Sequence, residues 1–216
     1  MAYLAWLRKP RTLDNKVEII AAILLALATI CSAWCVYEAT RWNGVQSVEQ
    51  ATSNALRSES VRQTNIALTL AQVDVELFTD WVTAVANNET QLAEFTRDRF
   101  RPEFVPAFEA WLAQVPSGEI PPGTPFTLPE YQLATQVESE RLLDQALNAT
   151  QASREANQIG DNFILTTVLF ASVLFLAGIQ SKLKSTRTRL GLLIVAVGIF
   201  IVGFIILLSL PVNVGF

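Results

Sequence analysis

The chain has 216 residues, of which 51% are hydrophobic and 17% charged, with a net charge of −4. Soluble domains usually carry about 25% charged residues, so part of this chain is expected outside water. With no histidine, Ser-His-Asp and Cys-His catalysis and histidine-ligated metal sites are excluded, and the acidic balance argues against nucleic acid.

Residues 1–16 bring Arg8, Lys9, Arg11 and Lys16 ahead of the first apolar run and read as a cytoplasmic segment. Residues 17–38 form the first expected transmembrane helix, since about 20 apolar residues cross the roughly 30 Å of bilayer hydrocarbon. The run exceeds the roughly 7–15-residue core of a cleaved signal peptide and reads as an uncleaved anchor. Cys31 and Cys35 lie one turn apart inside it and are read as packing residues. Glu38, Arg41 and Trp42 leave this span, and Asp161 enters the next. They form an expected joint at the outer interface, where Trp suits the headgroup layer. Arg41 is expected to pair with Asp161 or Glu38, and Gly44 and Gly160 to bend the chain.

Residues 39–161 read as an extracytoplasmic helical domain. A first helix is expected over 45–86, with an apolar stripe at Ile66, Leu70, Val73, Leu77, Trp81 and Ala84. Asn88 is the expected N-cap of a short helix reaching about Phe100, and Pro-bearing RPEFVPAFEAWLAQ opens another. Five of the nine prolines fall in 115–129, a loop. Thr127 and Glu130 read as a capping box that starts a long returning helix, continuing through Gly160 into the second span. The result is a helical hairpin whose tip, 78–131, holds Phe78, Trp81, Phe95, Phe100, Phe104, Phe108, Trp111, Phe126 and Tyr131. Of these, Phe104, Phe108, Trp111, Phe126 and Tyr131 are the expected contact surface for a protein partner. The stalk is built of small residues. The returning helix has Leu142, Ala146, Ala149, Ser153, Ala156 and Gly160 in a heptad-like row, and the outgoing one has Val48, Ala51, Thr52, Ala55 and Ser58. Such residues bury little area each but allow close approach, which suggests that stalks bundle between copies as a homo-oligomer.

Residues 162–180 are the second expected span, 181–189 a basic turn, 190–210 the third span and 211–216 an extracytoplasmic C-terminus. Gly191 and Gly198 in the third span are expected helix-packing positions. The basic turn carries Lys182, Lys184, Arg187 and Arg189. Together with the four cations of the N-terminal segment, it holds half of the sixteen Lys and Arg. Residues 38–161 hold eight arginines, no lysine and eighteen acids, a net charge of −10. Cations beside spans stay cytoplasmic, so the N-terminus and the basic turn are expected inside and the acidic segment outside. The same turn would also suit anionic lipid headgroups.

No glycine-rich phosphate loop is present, and the acids of VESERLLDQ read as the solvated side of a helix. No cofactor, metal ligand or catalytic residue is expected. The stretches WCVYEATRWNGVQ, VELFTDW, DRFRPEFVPAFEAWLA, PFTLPEY, ANQIGDNFILTTVLFASVLFLAGI and KLKSTRTR resemble a family of small bacterial three-span inner-membrane proteins with an extracytoplasmic helical domain and no assigned activity. The resemblance implies a bacterial inner-membrane location and carries over no functional site. The fold expectation is an all-α integral membrane protein with three transmembrane helices and a long helical hairpin between the first and second. The functional expectation is a non-enzymatic oligomeric scaffold or interaction protein, such as an accessory subunit of a larger membrane complex, touching lipid, its own copies and protein partners. Two alternatives fit the same sequence: a sensor-like module that borrows its output from a partner, and an oligomeric channel gated by an apolar constriction.

Overall fold

The structure is a computed structural model and describes residues 12–116 and 119–213, with side chains from residue 16 onward. The cations Arg8, Arg11 and Lys9 lie outside the described residues. The described chain is all-helical: α1 (Thr12–Ala86), α2 (Thr90–Arg97), α3 (Val105–Leu112), α4 (Ala134–Ile179) and α5 (Thr186–Ser209), with 3-10 turns at Pro125–Thr127 and Gln180–Lys182. Three of these helices, α1, α4 and α5, are long and apolar enough to cross a membrane.

Helix α1 spans 75 residues without interruption, so the first apolar run and the polar helix expected from Val45 are one element. No proline falls between Thr12 and Ala86, and the single glycine there, Gly44, costs a helix only about 1 kcal/mol. Gly44 is therefore no bend, and a Cβ built on it would meet nothing within 4 Å. Helix α1 ends at a left-handed Asn88, φ 60°. The amide of Glu89 donates to Ala84 O at 2.9 Å and that of Asn88 to Val85 O at 3.1 Å, the paired bonds of a Schellman stop. Asn88 thus closes α1 instead of capping α2, whose N-cap is Glu89 with no side-chain cap bond. The expected capping box at Thr127 is also absent. The residue before a proline is pushed out of the helical region, and Leu128, before Pro129, is extended at φ −84°, ψ 148°. Thr127 Oγ1 donates instead to Thr124 O at 3.1 Å, and α4 begins only at Ala134.

The chain divides into two compact units, Met1–Gln50 with Gln151–Phe216, and Ala51–Thr150. In the first, Val17, Ala21, Leu24, Ala28 and Cys35 line the inner side of α1, at mostly three- and four-residue spacing. They pack with Phe163, Phe170, Val173 and Ala177 of α4 and with Leu193 and Ala196 of α5. Cys31 and Cys35 are both free thiols, Cys35 buried. The outer sides are apolar too: Ile30, Leu165, Phe175, Ile194 and Leu208 are each more than 60% exposed. Helices that are apolar on every side belong in a membrane or a large core, and these three have only one another to cover them within the unit.

In the second unit, the part of α1 from Ala51 runs with the part of α4 before Gln151, and α2 and α3 close over the end. Its core is aromatic. Phe78, Trp81, Phe100, Phe104, Phe108 and Trp111 are buried, with Phe126 and Tyr131 packed against them. Ring centroids lie 4.8 Å apart for Trp81–Phe108 and Phe100–Phe108, and 5.1 Å apart for Phe78–Trp111. All three contacts are edge-to-face, the arrangement the ring quadrupoles favour. The seam between α1 and α4 in the same unit is different. Ser53, Ser60, Ala67 and Asp74 come inward at a seven-residue repeat, facing Ser139, Leu142, Ala146 and Ala149. The hydroxyls bond to the facing backbone. Ser53 Oγ donates to Ala146 O at 2.9 Å, Ser60 Oγ to Ser139 O at 2.9 Å, and Ser139 Oγ to Ser60 O at 3.0 Å.

Candidate functional site

A buried polar cluster lies beside the aromatic core of the second unit. Asp74 sits on the inward heptad row of α1 with a fully buried side chain. Arg101, from the turn between α2 and α3, grips it with two bonds: Nε to Oδ1 at 3.0 Å and Nη2 to Oδ2 at 3.2 Å. Tyr131, ahead of α4, donates its hydroxyl to Asp74 Oδ2 at 3.0 Å. Nη2 of Arg101 also reaches Glu103 Oε2 at 2.9 Å. A buried carboxylate is costly unless paired and hydrogen-bonded, and here two other chain segments meet that need at one point. Partial burial works against the Arg101 charge, but Asp74 and Glu103 outweigh it and raise its pKa. Burial and the bond to Asp74 likewise push the Tyr131 phenol well above its usual value, so it remains a proton donor. Every oxygen of Asp74 is taken by a neighbour held in place, so the cluster pins the turn and the start of α4 onto α1.

Beside it, a cleft of about 540 Å³ opens between Trp81, Arg97, Glu109, Leu112, Pro116 and Ile120. Arg97 stands at its edge, 3.9 Å from Glu109 and 5.7 Å from the centre of the Phe108 ring. Among the described residues, no group of three or more Cys, Asp or Glu is arranged to hold a metal ion.

The expected contact surface is corrected by burial. Phe104 is 0% exposed, and Phe108 and Trp111 are each 1% exposed; they are the core of the unit and present no face to a partner. Phe126 and Tyr131 are half-buried against the same core. The ring left outside is Phe95, 54% exposed, with the Arg99 guanidinium 3.3 Å above its centre. The expected apolar stripe of α1 holds in the main: Trp81 and Ala84 are buried, and Ile66, Leu70 and Leu77 are half-buried. Val73 is exposed, while Ala67, Asp74 and Phe78 lie inside. Likewise Val48, Ala51, Thr52, Ala55 and Ser58 are exposed, and Ser53 and Ser60 make the seam in their stead.

In the first unit, the expected joint is assembled differently. Glu38 is 1% exposed, and its Oε2 accepts the backbone N–H of Asn213 at 3.0 Å. One turn on, Trp42 Nε1 donates to Pro211 O at 3.1 Å. The two side chains thus hold the extended segment that follows α5. Arg41 makes no ion pair with Asp161 or Glu38 among the described residues. Asp161 is exposed and accepts Asn157 Nδ2 at 3.1 Å. Gly160 is a point of close approach and not a bend: a Cβ there would come within 3.0 Å of Asn43 Oδ1 and 3.6 Å of Ala39 O.

Ala156 and Ser153 of the expected packing row are buried in the first unit, as Ala146 and Ala149 are in the second. Ser153 Oγ donates to Gln46 O at 3.1 Å. This row is therefore covered by the chain's own α1. Among the described residues, Gly191 and Gly198 have nothing within 4 Å of a built Cβ. The glycine in tight contact is Gly203, whose Cβ would meet Phe170 Cε1 at 3.3 Å. In the basic turn, Lys182, Lys184 and Arg187 are exposed, as is Lys16 at the other cationic end. Arg189 Nε reaches Oε1 of the buried Gln180 at 3.4 Å. No protein-family model, curated protein or solved structure matches the chain, so its functional reading rests on its own residues.

Proposed function

We propose that this chain is a non-enzymatic, oligomeric scaffold or interaction protein of a bacterial inner membrane, an accessory subunit for a larger membrane complex. Residues 39–161 face away from the cytoplasm, and the N-terminus and the 181–189 turn lie inside. The observation that carries the reading is the partition of charge around three apolar helices. The four lysines fall in the N-terminal segment and the 181–189 turn, while 38–161 carries a net charge of −10. Because short basic flanks are retained on the cytoplasmic side, this asymmetry favours one orientation. The grip of Glu38 and Trp42 on Asn213 and Pro211 supports the count of three crossings, since it brings the end of α5 to the end of the first apolar run. Three crossings return the chain to that face.

A scaffolding role is supported by how the second unit is built. The aromatic core and the Asp74 cluster fix one arrangement of α2, α3 and the start of α4, a stable surface on which partners could assemble. Gentle extraction from the native membrane followed by mass spectrometry of the intact particle tests this. The reading expects several copies of the chain, with other membrane subunits attached. A monomer without companions at every concentration would overturn it.

A further inference from the structure

The turn between α4 and α5 carries charge that the chain around it does not match. From Asn162 to Phe216 there are four cations, Lys182, Lys184, Arg187 and Arg189, and no Asp or Glu. Lys182, Lys184 and Arg187 are exposed and make no ion pair among the described residues. Their backbone is nonetheless fixed. Ser181 Oγ donates to Gly178 O at 2.8 Å, and the Leu183 amide donates to Gln180 O at 3.2 Å. Leu183, between the two lysines, is half-buried. Gln180 is buried, and its Oε1 accepts from Arg189 Nε across the turn. Retention of cations during insertion accounts for the side on which the turn lies. It supplies no counter-charge to the folded protein.

The surroundings of the turn select the anion. On either side the exposed surface is apolar. Phe175 and Ile179, four residues apart on α4, are 66% and 41% exposed, and Leu190 and Ile194, four apart on α5, are 47% and 63% exposed. Cations adjoining such a surface match a molecule with an anionic head and hydrocarbon tails, whereas a soluble phosphate would use the charge alone. Phosphate oxygens accept strong bonds from ammonium and guanidinium groups, and clusters of about four or more cations beside a membrane helix attract anionic headgroups. We propose that the turn binds an anionic phospholipid, with Lys182, Lys184 and Arg187 on its phosphate and its acyl chains over Ile179 and Leu190. This rests on the membrane reading above, though not on which side the turn faces, and names the lipid class held there.

Native mass spectrometry of the full chain tests it, in detergent with equimolar phosphatidylglycerol and phosphatidylcholine of the same acyl chains. The wild type should retain phosphatidylglycerol at least about fivefold over phosphatidylcholine. The triple variant Lys182→Gln, Lys184→Gln, Arg187→Gln should bring that ratio close to one with helix content unchanged. Lys182→Arg with Lys184→Arg should keep the preference, as should Arg57→Gln, Arg141→Gln, Arg154→Gln, which removes the same charge from the acidic segment. Equal retention of the two lipids by the wild type, or a preference lost only in the Arg57, Arg141 and Arg154 variant, would overturn the site and leave the membrane reading standing. Displacement of phosphatidylglycerol by equimolar soluble glycerol phosphate would overturn the lipid as its occupant. A wild type that retains neither lipid would remove the membrane reading as well.

Discussion

The tip and the stalk of the second unit solve the same problem with opposite materials. At the tip, six buried aromatic residues bring large apolar area together and a buried ion pair locks the segments around them. Along the stalk, small residues come close and serines trade hydroxyl bonds with the facing backbone. Burying a large apolar side chain is worth about 1.5–3 kcal/mol, while a typical internal hydrogen bond nets about 1 kcal/mol. The tip should therefore hold the unit's stability, and the stalk should govern how closely two helices run. This makes the tip the fixed part and the stalk the part that sets helix spacing.

The sharpest way to break the comparison is to empty the tip. Phe104→Ala should cost about 4 kcal/mol through lost transfer energy and cavity formation, read as a lower denaturant midpoint for the tryptophan fluorescence of the full chain in nanodiscs. Asp74→Ala should cost about 3 kcal/mol, because it takes the buried carboxylate from the Arg101 guanidinium and leaves it only the more exposed Glu103. Arg101→Met in the same background should recover part of that loss. On the stalk, Ser60→Ala should cost only about 1 kcal/mol, since Ser139 keeps its bond to the Ser60 backbone. A stalk change as costly as Phe104→Ala would reverse the assignment.

The smallest effects are titrations. Tyr131 ionises late in the folded chain, well above its usual value of 10.0. A raised pKa gives stability that is fully present below pH 10 and lost as pH climbs toward the folded value. Spectrophotometric titration should show one tyrosine ionising late, and Tyr131→Phe should remove that phase. Glu59 is the opposite case: bonds from Arg62, then Gln63, hold its carboxyl down to about 2 from 4.5. Its small contribution is present above pH 4.5 and fades as pH falls toward 2. Exposed at the surface and screened by solvent, it should shift acid unfolding less than any change at the tip.

How much can be read from the residues follows from which forces leave a mark in sequence. The three apolar helices are plain, because a run of bilayer length with no charge in its middle has no polar side to turn toward water. The aromatic tip is plain from composition, but its inner and outer sides are not. Phe95 looks like its neighbours and lies outside, while Phe104, Phe108 and Trp111 look available for a partner and are enclosed. The stalk seam misleads hydropathy because it is made of serines. Ser53 and Ser60 are inside, and the more apolar Val48 and Ala55 are outside. Asp74 is illegible for the same reason: a carboxylate on an inward row is recognisable only once Arg101, twenty-seven residues on, is seen bonded to it. The Leu128-Pro129 step is legible in principle, since proline restrains the residue before it, and it accounts for the start of α4 beyond the Thr127–Glu130 pair.

The orientation of the acidic segment is tested most directly by labelling in cells. In a chain lacking its two native thiols, a single cysteine at the exposed Asp98 is compared with one at the exposed Lys184, using a membrane-impermeant maleimide before and after the inner membrane is opened. The account predicts that Asp98→Cys labels fully in intact cells and Lys184→Cys only after opening. Lys184→Cys labelling in intact cells, with Asp98→Cys protected, would contradict it.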